Sequence, residues 1–171
     1  MDAEEPSDSS GDFRIEALYA ALDERRRRRG MSWPQVAREM NAAISPSTLS
    51  GMRARSALEG DGVLQMLRWL ERAPESFVEG IPQNLLRGAT LPATGARQIL
   101  RFDTRSLYSA LDARRIERGM TWQQVAGKIR GSTAGGLSRL SKGGRTTFPQ
   151  VMRMTRWLGR PVAAFTRASD R

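Results

Sequence analysis

The sequence of 171 residues contains neither cysteine nor histidine. Without cysteine, disulfide bonds, thiolate nucleophiles and cysteine-based metal sites are excluded. Without histidine, the chain lacks the commonest metal ligand and the side chain that most often transfers protons near neutral pH. We therefore expect no catalytic residues, no metal and no cofactor, and the sequence does not predict an enzyme.

Long apolar runs are also missing. No stretch reaches the roughly 20 apolar residues that a membrane-spanning helix needs, and no signal-peptide core is present. The sequence therefore predicts a cytoplasmic protein without a membrane partner, and one associated with the nucleoid if it binds DNA.

Positive charge is what the chain has in excess, with 28 Lys and Arg against 18 Asp and Glu and a net charge of +10. Such an excess favours a polyanionic partner, with nucleic acid the first candidate. Residues 1–12 carry −5, residues 13–79 carry +2, residues 80–101 carry +3 and residues 102–171 carry +10. We expect residues 1–12 to form a disordered acidic tail, which either solubilises the chain or competes with phosphate for its basic surfaces.

The chain contains an internal repeat. Residues 18–37 align with residues 107–126 without a gap, and 14 of the 20 positions are identical. The alignment resumes further along, where the Arg-Trp-Leu at 68–70 matches the one at 156–158. The sequence therefore predicts a tandem duplication, with one domain at 13–79, a second, strongly basic domain at 102–171, and a linker at 80–101.

Each repeat has the pattern of about five short helices. Apolar residues recur at helical spacing, Gly30 and Gly119 are stop signals, and Ser32, Thr121, Ser45 and Thr133 are candidate N-caps. Because strand-like alternation is absent, we predict an all-α fold with two domains.

Both repeats resemble the XRE-like (Cro/phage-repressor type) helix-turn-helix family. The residues that carry the resemblance are Trp33, Val36-Ala37, Ser47-Thr48-Leu49-Ser50 and Met52 in the first unit, and Trp122, Val125-Ala126, Leu137-Ser138-Arg139-Leu140 and Trp157-Leu158-Gly159 in the second. The resemblance implies two tandem lambda-repressor-like, five-helix DNA-binding domains. The turn before the third helix is longer here than in most members, so we expect displaced or shortened recognition helices.

The outer face of each third helix holds the candidate base-reading residues. They are Ser47, Thr48, Ser50 and Arg53 in the first unit and Gly135, Gly136, Ser138 and Arg139 in the second. Arg139 is the best candidate for a bidentate contact to guanine, and Gly51 stands at its position in the first unit. The candidate phosphate contacts are Lys142 and Arg145 in a basic loop, together with Gln35 and Gln124, which resemble the phosphate-contacting position of the family.

These features predict a sequence-specific regulator of transcription, a repressor, that binds double-stranded DNA at an asymmetric site. A monomer could act as an intramolecular pseudo-dimer, and the sequence is also compatible with a homodimer. The alternative is a protein-interaction module, such as an antitoxin or anti-activator, whose first domain binds a protein. The arginine run at 25–29 is either a solvated helix end or a surface for phosphate or an acidic protein.

Overall fold

The structure is a computed structural model that describes residues 12–54, 58, 60–81 and 83–170. These residues are mostly helical, as the sequence predicts. In chain order the helices are α1 (Ile15–Arg28), α2 (Trp33–Glu39), α3 (Pro46–Gly51), α4 (Gly60–Leu70), α5 (Gln83–Leu86), α6 (Thr104–Glu117), α7 (Trp122–Lys128), α8 (Ala134–Arg139) and α9 (Phe148–Leu158). Short 3-10 helices at Met52–Ala54, Pro74–Phe77, Leu140–Lys142 and Val162–Phe165 complete the helical segments.

A small sheet corrects the all-α prediction. Strands β1 (Gln98–Phe102) and β2 (Thr166–Asp170) pair antiparallel, with Gln98 opposite Asp170 and Phe102 opposite Thr166. The strands were not predicted because β1 buries two consecutive residues, Ile99 and Leu100, and so lacks the alternation of buried and exposed residues that indicates a strand. The end of the predicted linker is thereby paired with the end of the second unit.

The helix starts follow the predicted capping residues. Ser32 and Thr121 form capping boxes at α2 and α7, and the hydroxyls of Ser45 and Thr133 accept backbone N–H groups at the starts of α3 and α8. These contacts satisfy donors that the first helical turn leaves unpaired. The four predicted caps are confirmed.

The two repeats share one hydrophobic core. It contains Leu18, Leu22, Val36, Leu49 and the buried face of α4, but also Leu100, Phe148, Val151, Met152 and Val162 from beyond the first unit. A smaller cluster around Leu107, Leu111, Val125 and Leu137 belongs to the second unit alone. The repeats therefore bury apolar surface against each other as well as within themselves.

Polar contacts also join the first repeat to the end of the linker and to the second repeat. The side chain of Gln65 in α4 donates to the carbonyl of Leu100 at 2.6 Å and accepts from its N–H at 3.2 Å. Glu75 accepts a hydrogen bond from the N–H of Val162 at 2.7 Å. Both side chains are buried, so these bonds fix the register between the repeats in a low-dielectric environment.

Aromatic rings fill the centre of the contact between the repeats. Phe148 lies 4.7 Å from Phe13 and 5.7 Å from Phe102, measured between ring centroids. Phe13 and Phe102 occupy equivalent positions in the two repeats, so a single ring from α9 contacts both members of the pair.

Within the described part of the chain, no helix has the length and apolar character needed to cross a bilayer.

Candidate nucleic-acid interface

Helices α2 and α3, and their counterparts α7 and α8, form the two pairs that carry the predicted recognition surfaces. Val36 and Leu49 are fully buried between the first pair, and Val125 and Leu137 occupy the same positions in the second. Helices α3 and α8 have six residues each, so both candidate recognition helices are short, in agreement with the expectation from the long turns. In the first unit that turn contains Asn41 and Ala42 in the left-handed backbone region, at φ 56° and 51°.

The candidate base-reading residues of the first unit make local contacts. The hydroxyl of Thr48 lies 2.7 Å from that of Ser45, and Ser50 donates to the carbonyl of Ser47 at 3.3 Å. The guanidinium of Arg53 lies 5.4 Å from the centre of the Tyr19 ring, within cation–π distance. Ser47, Ser50 and Arg53 are exposed, whereas Thr48 is half-buried.

In the second unit the candidate base-reading residues include a long side chain, that of Arg139. Arg139 is exposed at the end of α8, and its Nε donates to the carbonyl of Gly135 at 3.1 Å. This bond occupies Nε and leaves the two terminal nitrogens without a partner among the described residues. Two parallel N–H groups are what a bidentate contact to a guanine edge requires. Ser138, which donates to the same carbonyl at 3.1 Å, is exposed beside it.

The two glutamines predicted to contact phosphate have a fixed orientation. Gln35 Oε1 accepts from the N–H of Ser32 at 2.7 Å, and Gln124 Oε1 accepts from the N–H of Thr121 at 2.8 Å. Because the carbonyl oxygen is used by the capping box, the amide nitrogen is the group left for an external partner. That nitrogen is a donor, which is the correct polarity for a phosphate oxygen.

The predicted phosphate loop lies in a basic cleft of about 530 Å³. Lys142 and Arg145 form one wall, after a left-handed turn at Gly143. Its other cationic residues are Arg101, Arg105 and Arg167, and its two acids are Asp61 and Asp103. The cleft therefore has five cationic side chains against two carboxylates, and it begins directly after the second recognition helix.

Three of these arginines were not predicted from the sequence. Arg101 and Arg167 come together because they are direct register partners in β1 and β2, and the sheet itself was not predicted. Like charges opposite each other destabilise a strand pair, and a bound anion would relieve that repulsion. Asp61 pairs with Arg101 at 3.9 Å, and because both side chains are partly exposed this long ion pair gives only weak compensation.

Asp103 is engaged at the start of α6. Its carboxylate accepts from the hydroxyl and the N–H of Ser106, and these hydrogen bonds, together with the charges of Arg167 and Arg105, lower its pKa despite partial burial. The carboxylate is thus ionised at neutral pH and serves as the N-cap of α6, and its negative charge counts against the five cations of the cleft.

The arginine run of α1 is matched by contacts within the first unit. Asp23 pairs with Arg26 at 2.7 Å and Arg27 at 3.1 Å, and Glu24 pairs with Arg28 at 2.9 Å. Arg25 lies over the ring of Trp69, and Arg29 pairs with Glu39 at 2.7 Å. The end of α1 therefore has much less uncompensated positive charge than five consecutive arginines in the sequence suggest.

The four tryptophans lie against the cores. Trp69 is 6% exposed within the shared core, and Trp33, Trp122 and Trp157 are half-buried and packed on their own clusters. They act as contacts between helices. Comparison of the chain with protein-family models, with curated proteins and with solved structures finds no match.

Proposed function

We propose that the chain is a sequence-specific, double-stranded DNA-binding regulator of transcription that acts as a repressor at the nucleoid. In this proposal α2–α3 and α7–α8 are two helix-turn-helix units of the XRE-like type. Support comes from the repeated capped helix pairs, from the exposed polar faces of α3 and α8, and from the basic residues that follow α8.

The observation that carries the proposal is the position of the basic cleft. Arg139 ends α8, and Lys142 and Arg145 line the cleft a few residues later. A base-reading side chain and a group of phosphate-binding cations are thus adjacent on one surface, which is the combination that specific DNA binding requires. Gln124, with its amide nitrogen outward at the start of α7, adds a further phosphate donor.

The two units would contribute unequally. The first unit has Gly51 at the position of Arg139, and its arginine run is paired with its own acids. The second unit carries the cleft. We therefore expect the second unit to supply most of the phosphate affinity, and the first to adjust specificity at the other half of an asymmetric site. The shared core would let one chain act as a pseudo-dimer.

Two substitutions in the full chain test the assignment. Arg139→Ala should reduce discrimination at one base pair by about 1–3 kcal/mol, and Lys142→Ala should weaken binding to all sequences and lower the salt slope by about 1. Selection from randomised DNA measures the first effect, and binding across a salt series measures the second. Arg28→Ala, an exposed arginine paired within α1, is the control and should change neither.

Three outcomes would contradict the proposal. The full chain could fail to bind any DNA at low salt. Arg139→Ala could leave the selected sequence unchanged, which would refute the base-reading assignment. Arg28→Ala could weaken binding as much as Lys142→Ala, which would show that the affinity depends on total charge and not on the cleft.

A second candidate function is protein binding by the first unit. It is favoured by α3, whose Thr48 and Ser50 hydroxyls are used in local hydrogen bonds, and by the near-neutral surface of α1. A stoichiometric protein partner that co-purifies with the chain, combined with no DNA binding at low salt, would favour this function over the first.

A further inference from the structure

The first unit contains a complete carboxylate-binding site. The carboxylate of Glu39, at the end of α2, accepts from both terminal nitrogens of Arg29 at 2.7 Å and from the indole N–H of Trp69 at 2.7 Å. Hydrogen bonds from Arg29 and then from Trp69 lower the pKa of Glu39. Arg25 lies over the same indole, 5.1 Å from its centroid. Two groups of the first unit, Arg29 and Trp69, thus donate to one acid, and the charge of Arg25 also acts on it.

The second unit repeats the donors without the acid. Arg114 and Arg118 lie 5.1 and 5.7 Å from the centroid of Trp157, whereas Arg25 and Arg29 lie 5.1 and 5.9 Å from that of Trp69. The position of Glu39 is occupied by Lys128, which is exposed. Among the described residues, none accepts a hydrogen bond from the indole N–H of Trp157, and the buried Nε of Arg114 also has no partner.

This exchange of a glutamate for a lysine reverses the local charge. Arg118 and Lys128 carry like charges at the positions where Arg29 and Glu39 carry opposite ones. A carboxylate from elsewhere would provide an acceptor for Arg118 and for the indole of Trp157, which correspond to the two groups that donate to Glu39. The chain itself therefore shows which chemical group fits the site.

The chain also brings acids to this surface. Asp12 pairs with Arg153 through two contacts at 3.2 Å and with Arg130. Burial acts to raise the pKa of Asp12, but the bonds and charges of Arg153 and Arg130 outweigh it, so the net effect is a lower pKa. Arg153 and Trp157 are four residues apart in α9 and so share one face, about 6 Å apart along the axis.

The acids that precede Asp12 are within reach of Trp157. Asp2, Glu4, Glu5 and Asp8 lie in residues 1–11, which contain no basic residue and fall outside the described part of the chain. At about 3.3 Å per residue, four residues of extended chain can span roughly 13 Å, which exceeds the rise of about 6 Å along α9 from Arg153, the partner of Asp12, to Trp157.

We propose that Trp157, Arg118 and Lys128 form a carboxylate-binding site that is occupied by an acidic residue from the chain's own positions 2–8. This residue would take the role that Glu39 has in the first unit, although it comes from a part of the chain outside both repeats. The inference does not depend on DNA binding.

The indole N–H resonances of the full chain, labelled with nitrogen-15, provide the test. The neutralised variant carries Asp2→Asn, Glu4→Gln, Glu5→Gln and Asp8→Asn and keeps Asp12. We expect the Trp157 resonance, assigned with Trp157→Phe, to shift between the natural chain and this variant at low salt. The Trp69 resonance is the internal control and should not move, because Glu39 occupies its site.

Two further samples make the test specific. Lys128→Glu restores the arrangement of the first unit, so in that background the same neutralisation should leave the Trp157 resonance unchanged. A synthetic peptide of residues 1–11, added to the neutralised variant, should move the Trp157 resonance back toward its natural position. A synthetic peptide with the four acids neutralised should not.

Several results would overturn the proposal. One is a Trp157 resonance that is identical in the natural and neutralised chains. Another is an equal shift of Trp69 and Trp157, which would indicate a nonspecific charge effect. A third is a shift that persists in the Lys128→Glu background. If only an unrelated glutamate-rich peptide moved the Trp157 resonance, the site would belong to an external acidic protein instead.

Discussion

At the residue scale, Glu75 is a carboxylate buried between the two repeats. One oxygen accepts from the N–H of Val162 at 2.7 Å, and the other is buried without a partner among the described residues. Burial raises the pKa of Glu75 above its ordinary value of 4.5, and the bond from Val162 only partly opposes this. Ala163 stands at the equivalent position of the second repeat, so the acid is a feature of one copy.

Glu75 should make stability depend on pH. Because its folded-state pKa is raised, its contribution to stability is fully present below about pH 4.5 and is lost as the pH rises through the folded-state pKa. Glu75→Gln can still accept from Val162 but cannot ionise. Relative to the natural chain, we expect the variant to gain about 1–3 kcal/mol between about pH 4 and about pH 7.

Urea unfolding at a series of pH values measures this difference. Glu79→Gln, an exposed acid on the same segment, is the control and should show no comparable gain. A constant difference between Glu75→Gln and the natural chain over this range would contradict the prediction.

Gly60 is required by close packing at the start of α4. A Cβ atom at this position would lie 2.6 Å from a ring carbon of Phe102 and 3.2 Å from the carbonyl oxygen of Thr146. We expect Gly60→Ala to destabilise the fold by about 1–3 kcal/mol, because an aromatic ring and backbone would both have to move.

Gly62 offers a matched control in the same helix. A Cβ there would contact only Ile44, at 3.9 Å, which is an ordinary packing distance. Gly62→Ala should therefore stabilise α4 by up to about 1 kcal/mol through helix propensity. Thermal melts of both variants decide the matter, and equal effects of the two substitutions would contradict the role assigned to Phe102.

At the element scale, the second recognition helix is weakened by its own sequence. Helix α8 has only six residues and contains Gly135 and Gly136. Glycine costs about 1 kcal/mol relative to alanine in a helix interior. The Thr133 cap, whose hydroxyl accepts from the N–H of Gly136 at 3.0 Å, is one of the few contacts that compensate.

The two glycines of α8 should respond differently to alanine. A Cβ at Gly135 has no atom within 4 Å, so Gly135→Ala should stabilise the chain by up to about 1 kcal/mol. A Cβ at Gly136 would lie 3.0 Å from the Thr133 hydroxyl, so Gly136→Ala should gain less or lose stability as the cap is displaced. Denaturant midpoints measure both, and a larger gain for Gly136→Ala would contradict this reading of the cap.

The helices were largely predictable, and the sheet and the basic cleft were not. Capping residues and apolar spacing are local signals, so Ser32, Thr133 and the stripe that includes Leu18 could be assigned from the sequence. The pairing of Arg101 with Arg167 depends on two strands that are far apart along the chain, one of them mostly polar. Local sequence carries little information about such a contact. The role of Glu39 could not be predicted either, because its partners Arg29, which follows α1, and Trp69 in α4 lie in other parts of the chain.

At the scale of the whole molecule, the shared core predicts a single unfolding transition. Phe148 is completely buried and contacts rings from both sides of the junction. Phe148→Ala should lower the free energy of unfolding by about 3–5 kcal/mol. Because both repeats depend on this core, the indole signals of Trp69 and Trp157 should still disappear at the same denaturant concentration.

Met120→Ala, a half-buried side chain packed on the cluster of the second unit, is the comparison and should cost less. Two separated transitions in the natural chain, with Trp69 and Trp157 lost at different denaturant concentrations, would contradict the shared core.

The ring at the junction also decides which copies can be neighbours. Phe148 corresponds in the repeat alignment to Gly60, and its ring contacts both Phe13 and Phe102. In a pair of two second units, a second phenylalanine ring would stand at the position of Gly60. That position cannot hold even a methyl group without a clash with Phe102. Two copies of the first unit would leave that place empty. At the interface the large Phe148 of one repeat is therefore matched by the small Gly60 of the other. The two repeats have lost the self-complementarity of a symmetric dimer.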